Sequence, residues 1–392
     1  MNTLTMRRAL ILPFALLLTL CIPLAAVRAE NSTVSTHARA AALIDVESGR
    51  MLYSSRGDEP MLIASLTKIM TALVAIENGD LTSKVKVGKN AFAKEGSSLY
   101  LKLGEEMSLE DMLYGLMLRS GNDAATAIAE HVGGTEQGFV YLMNAKAEEL
   151  GLTHTHFANP HGLDADGHYS TANDLAVLTA YAMHNPVFKE IVGTPVKTAD
   201  NPYEKWDYKW ANKNKMLRLY EGADGVKTGY TKKALRCLVS SATRGGQQLV
   251  AVTLNDGNDW NDHAALLDYG FNHYPLKNLV QRGESIEGYP LVTGKSFAYP
   301  LGQGEEARLN TRLVLDDQVR AEAPTSFGLK GALIVELGGR VIGRIPVYDP
   351  QRLPPEQSAY MKKYSDAGAA PYPADNWLQA LGSALRALFR LG

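Results

Sequence analysis

Pro60-Met61-Leu62-Ile63-Ala64-Ser65-Leu66-Thr67-Lys68-Ile69-Met70-Thr71-Ala72-Leu73-Val74-Ala75-Ile76 is a nearly unbroken apolar run that holds a serine and, three residues on, a lysine. Pro60 suits a helix start and Asn78-Gly79 a helix stop, so the run predicts one helix. Residues i and i+3 share a helix face, which lets the Ser65 hydroxyl and the Lys68 amine meet. The helix is apolar on nearly all sides and is expected to be buried. Burial disfavours the charged form of a lysine and drives its pKa down until the neutral amine can take a proton. Ser65 is therefore a candidate nucleophile and Lys68 its base. A Ser-x-x-Lys tetrad alone means little, because a chain of 392 residues holds one by chance, and a second copy stands at Ser83-Lys84-Val85-Lys86. There Val85 and Val87 alternate with lysines in a strand pattern, whose positions i and i+3 point to opposite faces, and Ser83 is set aside.

Two more motifs follow in order, Ser120-Gly121-Asn122 and Lys227-Thr228-Gly229. The first joins two helical patterns, residues 109–118 and 123–131, and by itself reads as an ordinary inter-helix turn. The second has a near copy, Lys197-Thr198-Ala199, which lacks both the glycine and a following strand pattern. Taken together with Asn159-Pro160-His161-Gly162-Leu163 and Gly222-Ala223-Asp224-Gly225-Val226, the three motifs resemble the penicillin-binding protein family, specifically its low-molecular-mass serine-type D-alanyl-D-alanine carboxypeptidases, over residues 41–274.

The resemblance implies an α/β fold of the β-lactamase/transpeptidase type, an antiparallel sheet flanked by helices, followed by a second small all-β domain. It implies removal of the terminal D-alanine of peptidoglycan stem pentapeptides through an acyl-enzyme, with β-lactams as inhibitors and no cofactor or metal. By the same resemblance the backbone N–H groups of Ser65 and Tyr230 form the oxyanion hole. Ser120 relays a proton between Lys68 and the departing amine, and the Asn122 amide holds a substrate carbonyl. Lys227 adds positive charge, Thr228 contacts the terminal carboxylate, and Gly229, on an edge strand, admits the substrate backbone. Some members carry a carboxylate-binding arginine after the last long strand. Here that segment is Asn255-Asp256-Gly257-Asn258-Asp259-Trp260-Asn261-Asp262-His263, with no arginine. Arg236 could substitute, although a salt-bridged or surface role is the plainer expectation, and carboxylate recognition is assigned mainly to Thr228 and Lys227.

Competing readings are a class A β-lactamase, which resembles Ser-Asp-Asn at the second motif and adds a glutamate-bearing loop, and a non-catalytic peptidoglycan- or β-lactam-binding protein. Gly121, and the lack of an asparagine after Glu149-Leu150-Gly151, argue against the first; retention of both lysines, both serines and Asn122 argues against the second. Four histidines and two aspartates crowd His154 to His168, but their spacing fits neither a zinc pair on a helix nor a calcium loop. That loop is expected to be structural and solvent-facing.

Arg7-Arg8, an apolar run from Ala9 to Ala26 and Val27-Arg28-Ala29 read as an export leader over residues 1–29, with Pro13 and Pro23 disfavouring a membrane span. Cys21 lies within it and follows Leu20, which disfavours lipidation. Cleavage after Ala29 would leave Cys237 as the single cysteine, in a strand pattern that suggests a buried thiol. A net charge of −2 without a basic run gives no reason to expect nucleic acid as a partner. The expected organisation is a carboxypeptidase domain over residues 30–275, a β domain over 276–349 and a Pro/Ala/Tyr-rich linker over 350–375. An amphipathic helix over 376–392 follows, with Trp377, Leu378, Leu381, Leu385, Leu388 and Phe389 on one side and Arg386 and Arg390 opposite, suited to a membrane surface. The expected location is the outer face of the cytoplasmic membrane and the cell wall space.

Overall fold

The computed structural model describes residues 34–315 and 328–355. The expected leader, the expected terminal helix and most of the expected linker lie outside the described residues. Strand β1 (Ala40–Asp45) turns at Ser48-Gly49 into β2 (Met51–Ser55). The Asp45 carboxylate accepts from the Ser48 N–H at 2.9 Å, and Gly49 supplies the left-handed φ of +66° that closes the turn. A 3-10 turn (Ala64–Thr67) runs directly into α1 (Lys68–Asn78), and β3 (Lys84–Lys86) then pairs with β4 (Glu106–Ser108). The middle of the chain is helical: α2 (Leu109–Tyr114), α3 (Asn122–Gly133), α4 (Glu136–Glu149), α5 (Ala172–Met183) and α6 (Pro186–Gly193). A small hairpin, β5 (Val196–Ala199) and β6 (Tyr208–Ala211), and a single turn α7 (Met216–Leu219) follow. Strands β7 (Ala223–Thr231), β8 (Leu235–Arg244) and β9 (Gln247–Leu254) precede α8 (Asp259–His273).

The five long strands make one antiparallel sheet in the order β2-β1-β9-β8-β7, so the first and last parts of the domain are joined at β1 and β9. All six residues of β1 are buried, because both faces of the sheet are covered. Ala40, Ala42 and Ile44 share a core with α1 to α6, while Leu43 and Leu249 pack under α8. There a Cβ on Gly270 would lie 2.5 Å from Leu249 and 2.8 Å from Leu43, so only glycine lets the helix approach this closely.

Beyond α8 come β10 (Leu276–Val280), β11 (Val292–Thr293), β12 (Phe297–Pro300), β13 (Leu309–Leu315), β14 (Leu329–Leu337) and β15 (Arg340–Tyr348). β10 pairs with β12, and the rest form a sheet ordered β11-β15-β14-β13 around Val280, Val335 and Ile345. Arg50 ties this part to the main sheet: its guanidinium makes two 2.7 Å bonds to Glu305 and lies 5.1 and 5.4 Å from the Tyr274 and Tyr299 rings.

Two local expectations are corrected. The helix of the opening run starts at Ala64 rather than at Pro60, and its first turn is 3-10. The pattern over residues 109–118 is α-helical only to Tyr114 and then widens into a π-turn, Gly115–Arg119. Ser108 caps the start of α2, where the Asp111 N–H donates to Ser108 Oγ at 3.1 Å.

Candidate active site

Ser65 stands in the 3-10 turn at the N-terminus of α1, where the first N–H groups have no partner within the helix. The preceding Ala64 takes a left-handed φ of +47°, an uncommon conformation for a residue with a Cβ. Lys68 follows as the first residue of α1, fully buried, with Nζ 3.1 Å from Ser65 Oγ. The amine has two further neighbours, Asn122 Oδ1 at 2.7 Å and the carbonyl oxygen of His161 at 2.5 Å, both obligatory acceptors. Burial holds the Lys68 pKa well below the usual lysine range, and the nearby Lys227 and Lys213 push the same way against a weaker opposite pull from Asp123.

Ser120 is presented by the π-turn and itself takes φ +69°. Lys227, buried on β7, donates to Ser120 Oγ at 3.1 Å and to the Thr228 carbonyl at 2.8 Å. Burial, with a further contribution from Lys213, lowers Lys227 to about 7. Asn122 is buried with both ends of its amide engaged, Oδ1 by Lys68 and Nδ2 by the Glu95 carbonyl at 2.7 Å. The adjacent Asp123 accepts from the Leu99 N–H at 2.9 Å and from Ser98 Oγ at 2.7 Å, which pins residues 97–101 beside the site.

Strand β7 is the open edge of the sheet and runs past the Ser65 turn. A Cβ on Gly229 would sit 3.2 Å from both Ser65 N and Ile63 O, so any side chain here would crowd the Ser65 turn. Ser65, Ser120, Thr228, Gly229 and Tyr230 line one cleft of about 390 Å³, together with Ser97, Lys213, Arg236, Asp259 and Trp260. Tyr230 is 63% exposed there. Arg236 faces the cleft but is held by Asp259, Nε at 3.1 Å and Nη2 at 2.5 Å. The salt-bridged reading and the cleft reading of this arginine thus both describe its position. Cys237 is buried, and burial pushes its thiol up to about 12.

The histidine-rich loop departs from expectation. His161 and His168 are buried rather than solvent-facing: the His161 carbonyl meets Lys68, and His168 Nε2 lies 2.8 Å from Thr67 Oγ1. Among the described residues no group of three or more potential ligands is placed to hold a metal ion. Ser83 bonds the Asp80 carbonyl and His131, away from the cleft, and Glu149 closes α4 in a 2.7 Å pair with Lys146. Lys213, Asp259 and Trp260 were not legible as site residues, since each enters the cleft by tertiary folding from a segment without a motif. A local hint lay in Asn212-Lys213-Asn214, whose two asparagine side chains accept from the N–H groups two residues on.

Comparison with known proteins converges on one family. Residues 26–258 match the D-alanyl-D-alanine carboxypeptidase family Peptidase_S11. The chain is 34% identical over 338 residues to D-alanyl-D-alanine carboxypeptidase DacF of Bacillus subtilis, covering 81% of this chain and 86% of that one. It is also 34% identical over 343 residues to DacC of Escherichia coli, covering 80% and 83%. Among solved structures, penicillin binding protein 5 from Haemophilus influenzae superposes with a TM-score of 0.66 at 26% identity, over 81% of this chain and 97% of that one. DacD from Francisella tularensis gives 0.62 at 27%, over 80% and 93%.

Proposed function

The chain belongs to the D-alanyl-D-alanine carboxypeptidase family, and from that premise we propose how its residues divide the work. The protein is a serine-type D-Ala-D-Ala carboxypeptidase that removes the terminal D-alanine of peptidoglycan stem peptides. Ser65 attacks the carbonyl of the penultimate D-alanine, and Lys68 takes its proton. The observation that carries this assignment is the set of three contacts around Lys68 Nζ. A neutral amine has two hydrogens and one lone pair; Asn122 Oδ1 and the His161 carbonyl accept the hydrogens, which leaves the lone pair facing the Ser65 hydroxyl.

The tetrahedral oxyanion is met by the N–H groups of Ser65 and Tyr230, the first an unpaired helix-start donor and the second on an edge strand. Collapse breaks the C–N bond, and the departing amine receives a proton through Ser120, which Lys227 contacts from the other side. Water then hydrolyses the acyl-enzyme by the reverse proton path. Thr228 and Lys227 receive the substrate carboxylate, with Lys213 and Arg236 adding positive potential across the cleft. Asn122 contributes chiefly by orienting Lys68, since its amide is already engaged. A β-lactam is attacked in the same way, but its leaving group stays tethered and obstructs water, so the adduct persists.

Mass mapping after benzylpenicillin should place the adduct on the peptide holding Ser65, absent in Ser65→Ala and unchanged in Ser83→Ala, alongside release of D-alanine from a pentapeptide. An adduct on Ser83 or Ser120 would overturn the assignment. Export through residues 1–29 and surface attachment through residues 376–392 complete the proposal, supported by the sequence pattern of the two ends. No described helix is long and apolar enough to cross a membrane. Truncation after Asp375 should abolish binding to anionic liposomes and spare activity on soluble peptide; equal partitioning of both forms would sink the attachment.

A further inference from the structure

The peptide between Ala64 and Ser65 is trans, so its C=O and N–H point in opposite directions. The carbonyl side is packed against the histidine-rich loop: a Cβ on Gly162 would lie 1.9 Å from Ala64 O. The N–H side faces the cleft edge, since a Cβ on Gly229 would lie 3.2 Å from Ser65 N. Whatever fixes the Ala64 carbonyl therefore fixes the direction of the Ser65 N–H. Besides the backbone bond of the 3-10 turn itself, the bond that does so is donated by Thr67 Oγ1, at 2.9 Å.

Thr67 is in turn fixed by His168. The Ala158 N–H donates to His168 Nδ1 at 3.0 Å, which makes Nδ1 the acceptor and leaves the proton of the neutral ring on Nε2. Nε2–H then donates to Thr67 Oγ1 at 2.8 Å, and the threonine hydroxyl, its lone pair occupied, turns its own hydrogen to Ala64 O. The ring is 2% exposed and packs edge-on to Phe157 at 6.0 Å. Burial lowers its pKa to about 4, so the neutral form with this tautomer persists under working conditions.

We propose that His168 is a positioning residue that acts through Thr67 to aim the Ser65 N–H into the oxyanion hole. The chain of donors runs His168 Nε2–H to Thr67 Oγ1–H to the Ala64 carbonyl. It holds a left-handed alanine that would otherwise relax, and it polarises the peptide whose N–H meets the developing charge. The bonds are the same with substrate and with transition state, but their effect is felt where the oxyanion forms. Loss of the relay should then lower kcat and leave KM nearly unchanged.

The inference rests on Ser65 as nucleophile, and the test separates the two. His168→Leu, His168→Gln, Thr67→Val and the His168→Leu/Thr67→Val double variant are made in the full chain. Each is assayed for D-alanine release, for acylation by benzylpenicillin and for inhibition by a peptide boronic acid, whose tetrahedral adduct sets an oxygen in the oxyanion hole. His168→Leu and Thr67→Val should each lose on the order of tenfold in kcat and in boronate affinity, with KM within about twofold. The double variant should be no worse than either single one. His168→Gln, whose amide can still donate to Thr67, should recover most of the loss. Wild-type kcat and boronate affinity in a folded His168→Leu would overturn the relay; should that variant fail to fold, the same result in Thr67→Val overturns it. Labelling of Ser65→Ala by penicillin would instead overturn the nucleophile.

Discussion

At the scale of single residues, the site is built by withholding water and counter-charge from lysines. Lys68 and Lys227 are both buried without a carboxylate partner among the described residues; the charge of Lys227 disfavours that of Lys68, and Lys213 disfavours the charge of both. Replacing Lys68 by arginine removes the only form able to accept a proton, because a guanidinium stays charged at any useful pH. Acylation by penicillin should fall by roughly 10²-fold or more, and substantial labelling of Lys68→Arg near neutrality would remove Lys68 from the role. Lys227 predicts a second pH effect. With its pKa lowered to about 7 by burial, it must bind a proton to meet a substrate carboxylate. KM should thus rise as pH climbs above about 7, whereas kcat falls on the acid side as Lys68 becomes protonated. A KM that stays flat from about pH 6.5 to 9 would separate Lys227 from carboxylate binding. These two lysines were legible in the sequence because three short motifs name them. Lys213 and His168 were not: one sits between asparagines and the other in a loop read as structural and solvent-facing, and only the fold shows what each touches.

At the scale of elements, the readable features were those whose cause is local. The helix end expected at Asn78-Gly79 follows from residue chemistry that neighbours do not override, as do the Ser108 cap and the β8–β9 turn at Arg244-Gly245-Gly246 that the structure shows. The start of α1 was misread because Pro60 is also at home in extended chain, and the Met61 N–H and C=O both pair with Ser170. That pairing keeps residues 60–63 out of the helix and forces the tight entry at Ala64. The widening at Gly115–Arg119 was equally hidden, since periodicity of apolar residues does not separate a π-turn from an α-turn over five positions. The loop under the Ser65 turn gives a direct test of this construction. Gly162 has φ +85°, and an added Cβ would lie 1.9 Å from Ala64 O and 2.9 Å from Thr67 Oγ1. Gly162→Ala should cost about 1 kcal/mol from backbone conformation alone, and displacing the turn should slow acylation on the order of 10²-fold. A melting temperature and penicillin-labelling rate equal to wild type would show that the loop yields without moving Ser65.

At the scale of the molecule, the antiparallel sheet flanked by helices that the family resemblance implies is present, and the β1–β9 pairing joins the first and last parts of the domain within it. Burying the sheet on both faces also buries polar groups that no local pattern marks as interior. His263 on α8 is the clearest: its ring lies between Ser240 Oγ at 2.5 Å and Thr253 Oγ1 at 3.0 Å, pinning the helix to β8 and β9. Burial lowers His263 to about 3, His161 to about 3 and His168 to about 4, from an ordinary 6.5. Each depressed histidine binds its proton more readily in the unfolded chain. The stability it supports is complete above about pH 6.5 and is lost as pH falls toward the folded value. The exposed His37, raised by Asp262, runs the other way with little weight because solvent screens it. Between pH 7.5 and 5 each buried ring should cost about 2 kcal/mol, a large fraction of the ~5–15 kcal/mol that holds a domain together. Calorimetry across that range should show the melting temperature falling by on the order of 10 °C. His263→Gln, which keeps hydrogen-bonding atoms near both hydroxyls but cannot titrate, should be less stable at pH 7.5 yet lose less on acidification. A melting temperature that is level from pH 7.5 to 5, or a slope unchanged in His263→Gln, would mean that these rings take up protons without opening the fold.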